Sequence, residues 1–343
     1  MSTLQNITSL NFWVHLTDNC NLTCDYCYIS TLETHKSMSK NAINEFSNKL
    51  YKTILKYPNI KTITLKLAGG EPLSKFDYWN SEIQSLIDIF GKQDIKLNIR
   101  IVTNLTILND DIIEFCKINN ITFAVSLDGL NEYHDKYRKF KNQKGSYTII
   151  ENNLLKLKNS KVLFAILVTI SNDNLDGILE LVKYLLDNNI TFRLADAKGV
   201  NIDKVKLLEV LDNCYKLMEN YDNFNIKYKH LLCDLNLIEP SNTPCSMGVS
   251  GGAIYINGDI YFCHSQFGSN QSLGNIFETD DLLSLVQKGY KFHSLSNECQ
   301  ECEFKNICAG GCPLYRTNDN KSPMCEIFKS TIPKIKKLHK VVQ

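Results

Sequence analysis

The stretch Leu16–Ser30, LTDNCNLTCDYCYIS, carries three cysteines within eight residues, Cys20, Cys24 and Cys27. A closed structural zinc site needs four protein ligands, whereas this segment offers three thiols and no histidine at ligand spacing. Three thiolates suit a [4Fe–4S] cluster that keeps one iron open, and an open iron can bind a small molecule through its amino and carboxylate groups. The alternative is a partial zinc knuckle, or three unrelated buried thiols.

Alternating strand and helix patterns surround this segment. Runs rich in Val, Ile and Phe predict strands at Phe12–Leu16, Thr62–Leu67, Leu97–Val102, Thr122–Leu127, Leu163–Ile170 and Thr191–Leu194. Amphipathic segments predict helices at Lys40–Leu55, Trp79–Phe90, Asp110–Asn119, Ser146–Lys156 and Leu175–Asn188, and after Asn201. Such alternation implies an α/β fold with parallel strands and right-handed crossovers, in an open sheet or a barrel.

The candidate site residues follow the C-terminal ends of the first four strands, where both architectures place their chemistry. The cysteine segment follows the first strand, AGGEPL the second, TN the third and SLDG the fourth. Two further cysteines, Cys116 and Cys214, lie in helical patterns with apolar neighbours. We expect them to be buried small hydrophobic residues rather than ligands.

The composition of the chain excludes several classes of function. Its 343 residues suit one large α/β domain with a smaller appendage, and its net charge of +1 gives no reason to expect a nucleic acid or a membrane as partner. The N-terminus has no signal-peptide pattern, and no window reaches the ~18 apolar residues of a membrane span. We expect a cytoplasmic protein, and in that reducing compartment clustered cysteines are more often metal or cluster ligands than disulfides.

After about Asn236 the sequence becomes rich in turns and cysteines. The segment AIYINGDIYFC predicts a hairpin around its Asn-Gly pair. A pair of zinc ribbons also fits the CxxC element of this part of the chain. We predict a first domain over residues 1–230, a cysteine-rich domain over 231–330 and a basic, solvated C-terminal tail over 331–343. The cysteines of the second domain are Cys245, Cys263, Cys299, Cys302, Cys308, Cys312 and Cys325.

The first cysteine segment has the spacing CxxxCxΦC, with Tyr26 as the aromatic residue, and on this motif the chain resembles the radical SAM superfamily. The resemblance implies a partial (β/α)6 TIM-like barrel, a [4Fe–4S] cluster on the three cysteines, and S-adenosylmethionine (SAM) on the open iron. It implies reductive cleavage of SAM to a 5′-deoxyadenosyl radical that abstracts a substrate hydrogen. In relatives, the residues matching Glu71 and Arg138 meet the ammonium and the carboxylate of SAM. The full set of matching SAM-site residues is Tyr26, Gly69, Gly70, Glu71, Pro72, Thr103, Asn104, Ser126, Asp128 and Arg138.

The second domain resembles the SPASM extension of radical SAM enzymes, on the segments GDIYFC and CQECEFKNICAGGC. The resemblance implies two auxiliary [4Fe–4S] clusters, hence three clusters in the whole protein. One auxiliary cluster would take Cys299, Cys302, Cys308 and Cys325, and the other Cys245, Cys263 and Cys312. The second set is one ligand short, so its last position is open, or is filled by Cys233, by His264 or by another ligand.

The resemblance extends to anaerobic sulfatase maturases and thioether-forming peptide maturases, with two departures from the former. Gly251 lies near the place of an extra cysteine in sulfatase maturases, and His264 stands where they have an acidic base. We therefore expect a maturase that joins a ribosomally made peptide by a thioether or another crosslink, with loss of two electrons.

Other outcomes stay open for this chain. Formylglycine formation would use His264 as the catalytic base, and peptide epimerisation would need a thiol such as Cys233 or Cys214. A nonenzymatic iron–sulfur or zinc protein is the alternative from another class. The enzyme readings imply an electron donor such as flavodoxin or ferredoxin. Since about nine residues precede the first strand, leader recognition would need a separate protein, or none.

Overall fold

The computed structural model describes residues 7–32, 34–221, 229–230, 235–236 and 240–341. Each predicted strand and helix is present, with bounds that move by three residues or fewer. The strands are β1 Ser9–His15, β2 Leu22–Cys24, β3 Thr62–Ala68, β4 Lys96–Thr103, β5 Thr122–Ser126, β6 Arg138–Phe140, β7 Phe164–Ile170, β8 Thr191–Asp196, β9 Lys229–His230, β10 Gly251–Ile254, β11 Asp259–Tyr261 and β12 Gly274–Asn275. The helices are α1 Lys40–Lys56, α2 Phe76–Phe90, α3 Asp110–Ile118, α4 Glu132–Asp135, α5 Tyr147–Asn159, α6 Leu175–Asp187, α7 Lys204–Glu219, α8 Leu282–Gln287, α9 Asn297–Glu301, α10 Lys305–Cys308 and α11 Cys325–Val341.

The main sheet has the order β12-β11-β10-β1-β3-β4-β5-β7-β8-β9 in the described part of the chain. The central strands β1, β3, β4, β5, β7 and β8 are parallel and stand in chain order. Right-handed crossovers that always step in one direction put every crossover helix on the same face. A doubly wound sheet would instead reverse its order. The sheet is therefore wound once, as in a TIM-like barrel, and the predicted α/β fold class is confirmed.

Side chains alternate between the two faces of each central strand. In β1, Leu10, Phe12 and Val14 are buried on the helix side, where the Phe12 ring meets Phe46 of α1 edge-on with centroids 5.5 Å apart. Each such side chain contributes roughly 1.5–3 kcal/mol through burial. The residues between them, including Trp13, face the opposite, concave side. That concave face and the C-terminal strand ends form the space in which a site can lie.

The C-terminal segment extends the barrel sheet. Strand β10 pairs in parallel with β1, and β11 returns antiparallel to β10. The predicted hairpin is present, and its turn is closed by a hydrogen bond from the amide of Gly258 to the carbonyl of Tyr255, 2.9 Å long. Gly258 has a φ of +87°, which glycine adopts without strain.

The last helix departs from the prediction of a solvated tail. Helix α11 begins at Cys325, before the predicted boundary at residue 331, and packs against α7. Ile332, Ile335 and Leu338 are buried on one of its faces. Residues 331–338 are therefore part of the packed structure, because the apolar positions of PKIKKLHK recur at helical spacing.

None of the helices in the described ranges combines the length and the apolar character that a membrane crossing requires.

Candidate active site

The first cysteine segment leaves the C-terminal end of β1 and is bound to the end of β3 by main-chain hydrogen bonds. The amide of Gly70 donates to the carbonyl of Thr17 over 2.7 Å, and the amide of Glu71 donates to that of Asn19 over 2.8 Å. A Cβ on Gly69 would lie 2.4 Å from the carbonyl oxygen of Thr17, and one on Gly70 equally close to that of Asn19. Only glycine permits this approach, which fixes the chain immediately before Cys20.

The thiols of Cys20, Cys24 and Cys27 lie close enough to affect one another's ionisation. Burial, together with the neighbouring thiols, raises the pKa of Cys20 to about 12 and that of Cys24 to about 11. Thiols in such surroundings ionise readily only beside a strong positive charge, which bound iron supplies. Within the segment, β2 pairs antiparallel with β6, and this pairing places Cys24 opposite Arg138.

Glu71, Thr103 and Asn104 form a buried polar group beside this segment. The Glu71 carboxylate accepts hydrogen bonds from Thr103 Oγ1 and the Asn104 amide, each 2.7 Å, and from the Leu73 amide at 3.0 Å. Burial outweighs these bonds and raises the pKa of Glu71 to about 7. A cation such as the ammonium of SAM would favour its ionised form. Pro72 opens the short helical turn Pro72–Lys75 that Glu71 caps.

Asn104 also reaches the cysteine segment. Its Nδ2 donates to Asn21 Oδ1 over 3.0 Å and lies 3.7 Å from Cys20 Sγ. Its Oδ1 accepts from Thr106 Oγ1 over 2.7 Å, and Thr106 Oγ1 in turn accepts from Asn21 Nδ2 over 2.7 Å. This closed ring of hydrogen bonds orients a donor toward a thiol sulfur, and such donors tune the potential of a cluster.

Asp128 links the residues predicted for the SAM site. Its Oδ2 accepts from the Tyr26 hydroxyl and from Arg138 Nε, the latter at 2.6 Å, and its Oδ1 accepts from the Thr169 amide at 2.8 Å. Arg138 Nη1 lies 3.9 Å from Cys24 Sγ. Burial opposes the Arg138 charge, but Asp128 keeps the pKa of Arg138 above its ordinary value. Asp128 therefore positions Tyr26 and Arg138 with Oδ2, while Oδ1 is fixed by the Thr169 amide. Ser126, also predicted for this site, lies half-buried at the end of β5.

His134 supports Asp128 from behind and was not predicted. The Asp128 amide donates to His134 Nδ1 over 3.3 Å, so the proton of the neutral ring is on Nε2, which faces Ser146 Oγ at 3.0 Å. Ser146 Oγ donates in turn to the Arg138 carbonyl over 2.7 Å. Burial, followed by the charge of Arg138, lowers the pKa of His134 to about 4. The only sequence signal was a histidine five residues after SLDG.

A second polar group, which the sequence did not predict, lies at the end of β1. His15 Nε2 contacts Asp18 Oδ1 at 2.7 Å, and Asp18 Oδ2 accepts from Thr34 Oγ1 and, at 2.7 Å, from the Tyr255 hydroxyl. Burial lowers the pKa of His15, so the ring is neutral and donates to Asp18. His15 Nδ1 is buried without a hydrogen-bond partner in the described part of the chain. This group joins the first strand to the C-terminal hairpin.

Four C-terminal cysteines, Cys299, Cys302, Cys308 and Cys325, lie near one another. Cys308 lies in electrostatic reach of Cys299 and Cys325, and Cys325 in that of Cys299 and Cys302. Burial and the neighbouring thiols raise the pKa of Cys308 to about 11. As for the first three thiols, bound iron would supply the positive charge that lets these thiols ionise.

Arg316 fixes the turn between Cys308 and Cys312, and sequence reasoning missed it. It donates to the carbonyl oxygens of Ala309 at 3.0 Å, Gly310 at 3.1 Å and Ser294. Residues 309–311 all have positive φ, between +48° and +74°. The planar fork of arginine can bind several carbonyls of one tight turn. The available signal was an arginine eight residues after Cys308 beside a Gly-Gly pair.

The remaining predicted ligands, Cys245, Cys263 and Cys312, differ in their surroundings. Cys245 is exposed and, like Cys312, lies in electrostatic reach of Arg316. Cys263 follows β11, and burial of its thiol is outweighed by His264 and Ser265, which lower its pKa to about 6. Cys233 lies outside the described residues. Cys116 and Cys214 are fully buried in α3 and α7, as predicted.

Cys263 and His264 lie near Tyr28, which directly follows Cys27 in the first cysteine segment. The Tyr28 hydroxyl is in electrostatic reach of both Cys263 and Cys27, and the Tyr28 and His264 rings lie 5.6 Å apart. The His264 ring stacks on Trp13 with centroids 4.1 Å apart, and His264 Nδ1 is 3.5 Å from Cys263 Sγ. His264 is therefore at the concave face of the barrel.

Close packing against β1 leaves no room for a side chain at Gly251, one of the two positions at which the sequence differs from the sulfatase maturases. A Cβ on Gly251 would lie 2.0 Å from the carbonyl oxygen of Asn11 on the paired strand β1. Replacement by cysteine would thus force the two strands apart.

Among the described residues, no three His, Cys, Asp or Glu side chains converge closely enough to hold a single metal ion. The argument that these cysteines bind iron–sulfur clusters therefore depends on their chemistry. Several thiol groups lie near one another, and N–H donors lie near their sulfurs.

Comparison with known proteins identifies similar chains. A profile described as "Radical SAM superfamily" matches residues 14–185. The cysteine-type anaerobic sulfatase-maturating enzyme of Clostridium novyi (strain NT) is 26% identical over 347 aligned residues, which cover 92% of each chain. The radical SAM cyclopropyl synthase TigE of Paramaledivibacter caminithermalis is 26% identical, over 87% of this chain and 66% of its own.

A solved structure described as native anSMEcpe with bound AdoMet and Kp18Cys peptide is similar in fold. It has a TM-score of 0.77 and 17% sequence identity, and the match covers 97% of this chain and 99% of that one.

Proposed function

Because the chain belongs to the radical SAM superfamily and is an enzyme, we propose that it is a maturase that modifies a ribosomally made peptide or protein. The preferred outcome is a thioether or another crosslink. Relatives named as a sulfatase-maturating enzyme and a cyclopropyl synthase, and a neighbour solved with a peptide, support a peptide substrate. Two of the three carry names of different reactions, so the outcome has to be argued from this chain's own residues.

Residues at the strand ends would hold the cofactors. Cys20, Cys24 and Cys27 would bind the first cluster, and Glu71, with its raised pKa, would receive the ammonium of SAM. When bound, this cluster and SAM supply a 5′-deoxyadenosyl radical that abstracts a hydrogen atom from the substrate. Asp128 would hold Arg138 in place for the SAM carboxylate and for the donor contact to Cys24.

The observation that carries the proposal is that Cys263 and His264 lie near Tyr28 of the first cysteine segment. A peptide between them would have its target carbon near SAM and its neighbouring side chain near the second group of cysteines. That group, Cys245, Cys263 and Cys312, would leave an iron open to a substrate thiolate and would supply an electron acceptor.

Formation of a thioether removes two hydrogens from the substrate. The substrate carbon gives up one hydrogen atom, the substrate thiol gives up its proton, and the new carbon–sulfur bond releases one electron to an iron–sulfur acceptor. His264 lies beside Cys263, where its ring would accept the proton of the substrate thiol.

Formylglycine formation is a second candidate, favoured by the length and extent of the match to the Clostridium novyi enzyme. Two observations stand against it. By the resemblance, His264 stands where that branch has an acidic base, and Gly251, which lies near the place of its additional cysteine, has no room for a side chain.

The first experiment tests for a radical SAM enzyme. Anaerobically reconstituted protein should contain iron and sulfide and should release 5′-deoxyadenosine from SAM under dithionite. Cys24→Ala should lose both the first cluster and SAM cleavage, whereas Cys214→Ala, which removes a buried helical thiol, should keep both. Zinc-filled protein that leaves SAM intact would contradict the assignment of Cys20, Cys24 and Cys27 to an iron–sulfur cluster.

The second experiment identifies the product. A short peptide encoded beside the gene is incubated in deuterated water with enzyme, SAM and reductant, and its mass is read after back-exchange. Loss of two hydrogens with a fragmentation-resistant segment supports crosslinking. An aldehyde that reacts with a hydrazine reagent supports formylglycine, and one retained deuteron without oxidation supports epimerisation.

A further inference from the structure

An open groove of about 490 Å³ lies at the surface beside the first cysteine segment. Residues 19–21, which include Cys20, contribute to its lining. The rest of the lining comes from Ser74 and Lys75, at the end of the short helical turn after β3, and from residues 140–142, at the turn that follows β6. None of the ten residues predicted for the SAM site, all of which are described, lines this groove. The groove therefore reaches the cysteine segment from outside the SAM site.

The groove has a basic rim. Residues 138–145, RKFKNQKG, carry four cations and no Asp or Glu. Arg138 forms an ion pair inside the site. Lys141 and Lys144 of this hairpin, and Lys75 on the other lining segment, are exposed and form no ion pair with the described residues. Their ammonium groups therefore present positive charge to the solvent around the groove.

Acidic side chains do not offset this charge at the groove. Asp25 and Asp77 are exposed and lie within five positions of the lining segments, but neither lines the groove. The whole chain has a net charge of only +1, so the excess is local. A small basic patch suits a protein with a matching acidic patch, whereas a nucleic acid needs a broad basic surface.

The basic hairpin and the groove lining are both connected to the cysteine segment by hydrogen bonds. Strand β6 of the hairpin pairs with β2, in a register that sets Phe140 opposite Leu22. In the lining, Asn21 Oδ1 accepts from Asn104 Nδ2 over 3.0 Å, and that nitrogen is 3.7 Å from Cys20 Sγ. A partner bound in the groove would therefore lie close to a sulfur that the first cluster would use.

We infer that this groove docks an acidic one-electron carrier protein, which reduces the first cluster. The inference rests on the first step of the proposed function, reductive cleavage of SAM, and not on the peptide product. One electron leaves the carrier and enters the cluster, so the carrier is oxidised by one electron and the cluster is reduced by one. No bond, proton or leaving group changes place. Lys75, Lys141 and Lys144 would pair with carboxylates of the carrier, and Phe140 would give the contact an apolar centre.

The test uses a purified flavodoxin that is negatively charged at pH 7.5 and carries a far-red label. Its binding to the reconstituted holoenzyme is measured anaerobically by anisotropy, and should weaken about tenfold between 50 mM and 500 mM NaCl. SAM cleavage is driven in parallel by the flavodoxin hydroquinone and by dithionite. Dithionite is small and needs no docking surface, so the ratio of flavodoxin-driven to dithionite-driven cleavage isolates the effect of docking.

Variants assign the binding to the groove. Lys75→Gln and Lys141→Gln should each weaken flavodoxin binding about twofold to fivefold and lower that ratio by a similar factor, and Lys141→Arg should retain both. Lys117→Gln removes an equally exposed charge from the end of α3 and should change neither. Flavodoxin binding that is equally tight in the groove variants and in the wild type would overturn the inference.

The wild-type measurements are decisive even if a variant fails to fold. Absent or salt-independent binding of flavodoxin contradicts the inference. So does a groove variant that loses affinity for a ten-residue Glu peptide but keeps it for flavodoxin, because the groove would then bind an acidic peptide. Dithionite-driven cleavage tests the proposed function separately: cleavage without flavodoxin docking removes only this inference, and absence of cleavage with both reductants removes the proposed function.

Discussion

Protonation of His134 should couple acidity to the stability of the site. The folded chain lowers the pKa of this residue from 6.5 to about 4. Between those values the unfolded chain binds the proton more tightly, so the free energy of unfolding falls as the pH drops through 6.5. A shift of about 2.5 units corresponds to about 3 kcal/mol in total, of which about 1.3 kcal/mol is lost between pH 7.5 and 5.5.

The variant His134→Gln removes this titration. At pH 7.5 we expect it to cost about 1–3 kcal/mol, because the Asp128 amide loses its buried acceptor. The wild type loses its His134 contribution at pH 5.5 and the variant does not. The difference in free energy of unfolding between them should therefore shrink by about 1.3 kcal/mol.

Urea unfolding under anaerobic conditions, followed by far-UV circular dichroism at both pH values, measures that difference. Contributions common to both proteins cancel in the comparison. Asn153→Ala serves as the control, because it removes a buried donor to the Leu105 carbonyl, at 2.9 Å, that does not titrate. Its difference from wild type should be the same at both pH values. A wild type–His134→Gln difference that stays constant would refute the reasoning.

Three further substitutions test other parts of the structure. Gly251→Ala should lower the free energy of unfolding by about 1–3 kcal/mol, since its Cβ would meet the Asn11 carbonyl at 2.0 Å; chemical denaturation measures this. Arg316→Lys should lower iron per chain with little change at the first cluster, since a single ammonium cannot bind the carbonyls of residues 309–311 together; iron analysis and EPR of the reduced protein measure this. Asp281→Asn should lower the melting temperature slightly, since asparagine can still cap α8 at the Ser284 amide but loses the charge that binds Lys56; thermal unfolding measures this.

Each of these has a contrary outcome. Gly91→Ala, at a helix end with a φ of −62°, is the control for glycine removal, and equal losses from both would remove the steric argument at Gly251. Full iron content in Arg316→Lys would show that the turn after Cys308 keeps its conformation without the arginine guanidinium. An unchanged melting temperature in Asp281→Asn would mean that its contacts are replaced by water.

The elements of the barrel were predictable because their signals are local. Helix α1 begins after Ser39, whose Oγ accepts from the Ala42 amide at 3.1 Å, and α3 after Asn109, which caps it in the same way. The glycines of GGEP were predicted from the family motif, and the structure adds the reason, close contact with Thr17 and Asn19.

The contacts between distant segments were not predictable from one sequence. Asp128 was expected to line a ligand, and its carboxylate holds Tyr26 and Arg138 instead of standing open. His134 and Arg316 act through the carbonyls and amides of other segments, and a residue pattern does not record such partners.

The pairing of β10 with β1 has a consequence for synthesis of the chain. Strand β1 precedes the other described strands in the chain, and it acquires its second neighbour only when residues 251–254 emerge from the ribosome. At about 5–20 residues per second, that delay is roughly 12–48 s. During this time β1 is an open sheet edge, which invites pairing with other chains. A nascent or truncated chain that stops before residue 251 should therefore recruit chaperones or associate with its own copies, and the C-terminal hairpin acts as the cap that ends this exposure.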